Sequence, residues 1–525
     1  MELLERTQRR TVHRPNWPRA AAVELQSGDD KGDRKMARKS TGRPATAAGS
    51  TVAVWEQDPG DGDSPDGGQL VSVPAPDLAA GPLALAIQEQ APPPQVYQKG
   101  TPQFRYWAAA AAGRRGADFW SGILPRGTNW HSTVGTELTL RLDEGEDINA
   151  FYDRTGLSFF HATVANRTVF SGESPDVLCH EMGHAILDSI RPQLWNVANF
   201  EVPAFHESFG DMSAILTALQ VPSLRAEVLA DTSGTLYRNS RLSRLAEQLG
   251  WAIRQDHPTD VEPDSLRNAV NSLAYQDPTR LPRFAPASSL SREPHSLSRV
   301  FTAGFFEGMG GMLKVIAGAR MPTEADLLQA SQDIATILIT AIVQTPVVTA
   351  YFSQVAAHMV AVAAAQPGNR YGDALKSAFV RHGILSLQSA VMITAARATE
   401  AGVAATLTAI AAPDEMPMTP ISVADAGLQI DTILVQVASD APRFEASGAA
   451  PDSSGPIITP APDEAAKAFV DDLLHRGHLE LGEYGIEQMA VYHPTASKTH
   501  VLAKEGNNVC LYRSRIDCGL GSGKG

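Results

Sequence analysis

At 525 residues the chain is longer than one hydrophobic core usually organises, so two or three folded units with linkers are expected. Hydrophobic residues at 43% and charged residues at 19% exclude a fibrous or wholly disordered chain. A formal net charge of -14 excludes a general nucleic-acid binder, which needs clustered positive surface.

Residues 1–50 depart from that balance, with 11 Lys/Arg against 6 Asp/Glu, but no apolar face accompanies the charge, which favours a solvated tail over a basic binding arm. The same stretch lacks the apolar run of a secretory signal, so a cytoplasmic protein, or one exported without a leader, is expected. From residue 56 to about 100, Pro, Gly, Asp and Gln dominate ("EQDPGDGDSPDGGQ"), and residues 1–100 are expected to be largely disordered.

"TELTLRL" (136–142) alternates as a strand does, and "GLSFFHATV" (156–164) does so more loosely. Helical periodicity begins at Ser174, with Ser174 as N-cap, Pro175 at the first helical position and Asp176 in the first turn, and it dominates to about residue 412. The strongest apolar run, from Ile334, is interrupted by Gln344 and Pro346 and reads as buried helix, so no transmembrane segment is expected. Residues 413–463 read as a linker. Residues 464–525 read as a small α+β module that opens with an amphipathic helix; no chemistry is visible in it, and it is a candidate for binding another protein. Three cysteines, Cys179, Cys510 and Cys518, provide no disulfide framework.

The chemistry concentrates in "CHEMGHAILD" (179–188). On a helix His180 and His184 lie one turn apart and can aim ring nitrogens at one point, as a catalytic zinc requires of its ligands. Glu181 lies about 100° around the helix from His180, where it can flank the metal and act as a base toward water. With 14 histidines in the chain, the His-Glu-x-x-His pattern arises by chance only roughly a few hundredths of a time. In "AFHESFGDMSAIL", Glu207 and Asp211 are again four apart, 23 residues after His184. A second helix packed on the first can offer Glu207 as third ligand and Asp211 as partner for the other ring N–H of a ligand histidine.

This constellation resembles the thermolysin-like zinc metallopeptidases (gluzincins), whose hallmark is His-Glu-x-x-His followed on a second helix by Glu-x-x-x-Asp. The likeness extends over about residues 135–390. Asn149 and Ala150 in "INAFYDRTGLSFF" match the edge-strand segment that pairs with substrate backbone. Arg267 in "DSLRNAV" matches an arginine that binds the substrate carbonyl on the leaving-group side. His295 in "EPHSLSRVF" matches the histidine that stabilises the oxyanion, at the family's 28-residue interval from Arg267.

The resemblance implies an α+β fold: a short β-containing N-terminal lobe and a mainly helical lobe, with the zinc helix between them, over residues 101–412. It also implies a Zn2+ cofactor, a peptide or protein substrate, and hydrolysis by metal-activated water with Glu181 as general base. The chain departs from the family at several positions. Trp195 stands in place of a tyrosine that assists at the oxyanion, where its indole N–H is a candidate donor. Leu290 stands in place of the aspartate that orients the histidine, with Glu293 nearby at a different offset. Ala218 replaces a carboxylate of the paired calcium site, which implies that this site is absent or altered. The alternative function is a catalytically impaired zinc-binding scaffold.

Overall fold

The computed structural model describes residues 50–60, 68–366, 370–396, 416–439, 444, 446, 459–485 and 496–518. The basic stretch 1–49 and most of the low-complexity run after residue 440 lie outside the described residues. The fold is mixed α+β, with several small sheets among many helices.

Residues 50–100 hold three strands where disorder is expected: β1 (Thr51–Trp55), β2 (Leu70–Pro74) and β3 (Ala84–Ile87). β1 and β2 pair antiparallel, and Trp55 meets Phe104 edge-on at 5.6 Å. Their four or five residues supply burial without the length in which a period becomes visible among Pro and Gly. Helix α1 (Pro102–Ile123) starts at Thr101, whose side chain accepts from the Phe104 amide. It is buried on most of its surface, so it shows no apolar stripe.

β4 (Glu137–Arg141), β5 (Ala150–Tyr152) and β6 (Leu157–Phe159) follow, then a hairpin of β7 (His161–Val164) and β8 (Arg167–Phe170). The run 156–164 is therefore two strands, broken at Phe160. Helix α2 (Pro175–Ile190) has Ser174 as N-cap, its hydroxyl accepting from the Val177 amide at 3.3 Å. α3 (Glu201–Ala218) and α4 (Pro222–Asp231) come next. Two-residue strands β9 (Arg244–Leu245) and β10 (Arg267–Asn268) pair across α5 (Glu247–Asp256). α6 (Pro294–Ala317), α7 (Glu324–Gln344), α8 (Tyr351–Ala365), α9 (Gly372–Arg381) and α10 (Leu387–Ala396) complete the helical part. α6 and α7 are long and apolar enough to cross a membrane by length and composition, but most of each apolar window is packed inside the fold. Phe205 of α3 packs edge-on against Phe301 of α6 and Tyr351 of α8, each at 5.1 Å, which locks α3 into the core.

The stretch expected to be linker carries β11 (Met418–Ser422) and β12 (Thr432–Gln436). Helix α11 (Pro462–Arg476) and strands β13 (Leu479–Glu480), β14 (His500–Glu505), β15 (Asn508–Arg513) and β16 (Ile516–Asp517) follow. One five-stranded sheet has the order β11-β12-β15-β14-β13. It is joined to the helical part directly: Ala198 N–H donates to Gln436 O at 2.9 Å, Ser439 N–H donates to Val347 O at 2.8 Å, and Phe200 meets Phe469 at 5.7 Å. The second five-stranded sheet has the order β16-β5-β6-β4-β3, so β16 forms the edge of a sheet otherwise made from residues 84–159.

Candidate metal centre

α2 and α3 approach each other at two glycines. A Cβ on Gly183 would lie 2.9 Å from Gly210 Cα, and one on Gly210 would lie 2.6 Å from Cε1 of His180. Only glycine leaves that space, so the close packing of the helices and the placing of the His180 ring are one feature.

The structure brings His180, Glu181 and His184 together, with one donor atom from each lying within 4.8 Å of the others; this group can hold a metal ion. Glu207 from α3 faces the two histidines: its Oε2 lies 3.2 Å from His180 Nε2 and its Oε1 3.8 Å from His184 Nε2. Glu207 thus faces both histidines from the second helix, outside the group formed by His180, Glu181 and His184. Both oxygens of Glu181 and both ring nitrogens of His184 are buried and have no hydrogen-bond partner. Buried polar atoms left in this way are costly, and a bound cation is what their chemistry fits.

His180 Nδ1 lies 3.0 Å from Asp211 Oδ1, and Asp211 in turn accepts from Arg267 Nε at 3.0 Å and Nη2 at 2.7 Å. Burial works to lower the His180 pKa, but the hydrogen bonds to Asp211 and Glu207 raise it to about 9. Burial likewise opposes ionisation of Asp211, yet Arg267 and His180 hold it down at about 2. For Glu181, burial dominates and pushes the carboxyl up to about 8. His184 goes the other way, depressed first by burial and then by His180 and His206. The carboxylates thus favour positive charge at the centre, which either protons or a metal can supply.

α6 delivers His295 to the same point, with Nε2 at 3.2 Å from Glu207 Oε2. Its Nδ1 lies 2.6 Å from Glu293 Oε1, so Glu293 occupies the orienting position that Leu290 cannot fill. Glu293 also caps α6 by accepting from the Ser296 amide at 2.8 Å, which fixes the carboxylate. Burial opposes the His295 cation, but Glu207 and Glu293 overcome it and raise the imidazole to about 10.

Asn149 and Ala150 stand at the start of β5, buried, with Asn149 Oδ1 accepting from the Ala150 amide at 2.9 Å. Their edge is covered by β16 in antiparallel register, Ile516 opposite Tyr152 and Asp517 opposite Phe151. The Cys518 amide donates to Ala150 O at 2.9 Å, and Asp517 O lies 2.7 Å from His295 Nε2. Cys518 is buried and, with Val177, His180, Leu245, Ala246 and Arg267, lines a small cavity beside the centre. Sequence reading missed these contacts, because a two-residue strand and a lone cysteine carry no pattern.

Trp195 requires a correction. Its indole N–H donates to Arg513 O at 3.0 Å, four residues before the carbonyl that His295 meets, and Arg513 Nε donates back to Trp195 O at 2.9 Å. The indole is thereby committed to holding the C-terminal segment and is not a second donor beside His295. Asp176, in the first turn of α2, accepts from the Ala246 amide at 3.2 Å. All three cysteines are free and buried.

Neither protein-family models nor curated proteins match this chain.

Proposed function

We propose that the protein is a zinc-dependent endopeptidase that uses Glu181 as its general base. The observation that carries this reading is the buried Glu181 carboxylate, without a hydrogen-bond partner, amid His180, His184 and Glu207 and beside a strand edge that pairs with peptide backbone. His180, His184 and Glu207 are the donor set for zinc: two imidazoles and one carboxylate match its preference in catalytic sites. Zinc bound there supplies Lewis acidity toward a carbonyl and toward water.

The protein's own groups account for the other steps. Glu181 takes a proton from the attacking water and passes it to the leaving amine. His295, kept cationic and oriented by Glu293, donates to the carbonyl oxygen as negative charge grows on it. The Ala150 carbonyl accepts from the backbone amide on the leaving side. Asp211 and Arg267 hold the His180 ring, so the ligand geometry costs little to reorganise when metal arrives.

The test is a purified full-length chain with measured zinc content, offered a peptide library with and without chelator. About one equivalent of zinc and chelator-sensitive cuts are expected, with Glu181→Gln keeping the metal while turnover falls roughly a hundred- to ten-thousandfold. Turnover retained in Glu181→Gln would sink the scheme. A metal-binding scaffold without turnover is the second reading, favoured by β16 lying along the strand edge; it requires zinc retention with no cuts by the full chain or by one lacking that tail.

A further inference from the structure

The peptide bond between Asp517 and Cys518 lies among the groups to which the peptidase reading gives a role toward substrate. Three groups with separate proposed roles meet it. His295 Nε2 is 2.7 Å from the carbonyl oxygen of Asp517. The amide on the other side of the same bond, that of Cys518, donates to Ala150 O at 2.9 Å. The Cys518 side chain, on the leaving-group side, shares a cavity with Arg267, Val177 and Leu245. The approach is antiparallel to β5, in register from Ile516 to Asp517.

The segment is held firmly. The Arg513 amide donates to Asn196 Oδ1 at 3.0 Å, Trp195 holds the Arg513 carbonyl, Arg515 Nη2 donates to Ser497 Oγ at 2.6 Å, and the Arg515 guanidinium lies 4.8 Å from the centre of the Phe151 ring. Ser497 also donates to the Asp517 carboxylate. The Cys518 thiol is not among the donor atoms that cluster at the metal centre, so the strand is placed as a peptide and not as a ligand.

We propose that the chain's own Asp517–Cys518 bond is a substrate of this site, cleaved in cis to release the segment that begins at Cys518. The inference rests on the peptidase reading. Water adds across the bond: its oxygen joins the Asp517 carbonyl carbon, the C–N electron pair stays on the Cys518 nitrogen, and that nitrogen gains a proton by way of Glu181. The products are an Asp517 α-carboxylate and a Cys518 α-amine, and no oxidant or co-reactant is needed.

The experiment follows the intact mass of the full-length, zinc-loaded chain over time at several concentrations, with the same peptide library added in parallel. The expected result is loss of the mass of the segment that begins at Cys518, at a first-order rate independent of concentration, with Glu181→Gln keeping the full mass. If Glu181→Gln is trimmed at this bond by added wild-type chain as fast as the wild type trims itself, cleavage in cis is overturned. If library peptides are cut with chelator sensitivity while the 517–518 bond stays whole, the inference falls and the peptidase reading stands. If the full chain cuts neither, but a chain ending at Asp517 cuts the library, the strand is a plug and the inference again falls. If no form cuts anything, both fall together.

Discussion

The two helices of the candidate metal centre and the sheet edge beside them are assembled by opposite means. In α2 and α3 each functional pair is local: His180 with His184 and Glu207 with Asp211 are each one helical turn apart, and two facing glycines bring the helices close enough for the pairs to meet. The edge has no such local rule. Ala150 gains its partner from Cys518, and His295 gains a carbonyl partner from Asp517, both more than 200 residues away in sequence. The helix pair therefore takes its geometry from spacing, whereas the edge depends on a non-local closure whose contacts are separately removable.

If the helix pair is one rigid unit, removing its buried charge should damage it most. Asp211→Asn leaves Arg267 and His180 without their shared carboxylate inside the core, and a loss of about 3–5 kcal/mol is expected in denaturant unfolding, with zinc content falling in parallel. A loss under about 1 kcal/mol would mean that the triad is not a structural unit. Gly210→Ala tests the close approach instead. Its methyl meets the His180 ring, so metal affinity measured by chelator competition should weaken roughly ten- to hundredfold. Gly122→Ala, at a position on α1 with nothing within 4 Å, is the matched control and should leave affinity unchanged.

That contrast also explains what was legible in the sequence. The spacing of the candidate ligands on α2 and α3 stood out because the period of a helix writes itself into residue spacing, and Ser174 and Pro175 marked where α2 begins. β4 was readable from five alternating residues. β1, β2, β11 and β12 were not, because strands of five residues amid Pro and Gly resemble the linkers expected there. Glu293 lay in view two positions before His295, but only folding of the α6 N-terminus, where the same carboxylate caps the helix, turns it onto the imidazole. Trp195 was misread for the complementary reason: the acceptor of its indole N–H, Arg513 O, is specified by tertiary packing alone.

Glu201 at the start of α3 accepts from the Phe352 amide at 2.7 Å and from the Tyr275 hydroxyl. Burial pushes this carboxyl up to about 7. Because its folded pKa lies above the ordinary carboxylate value, its contribution to stability is complete below about pH 4.5 and is lost as pH rises through about 7. Thermal melts from pH 5 to 8 should therefore show a decline of about 1–3 kcal/mol from this group, and Glu201→Gln should flatten it. An unchanged slope in the variant would assign the decline elsewhere.

The smallest expected effect probes the edge directly. Trp195→Phe keeps an aromatic ring against Tyr152 and Arg154 but removes the donor to Arg513 O, one neutral hydrogen bond worth about 1 kcal/mol. Made in the Glu181→Gln background, so that the C-terminal segment stays attached, it should speed hydrogen exchange at the Cys518 amide about fivefold while exchange in α2 is unaltered. Equal acceleration in both places would mean that the edge and the helix pair open as one cooperative unit. No acceleration at Cys518 would mean that pairing with β5 alone holds β16, and that the indole's bond to Arg513 contributes nothing to seating the strand.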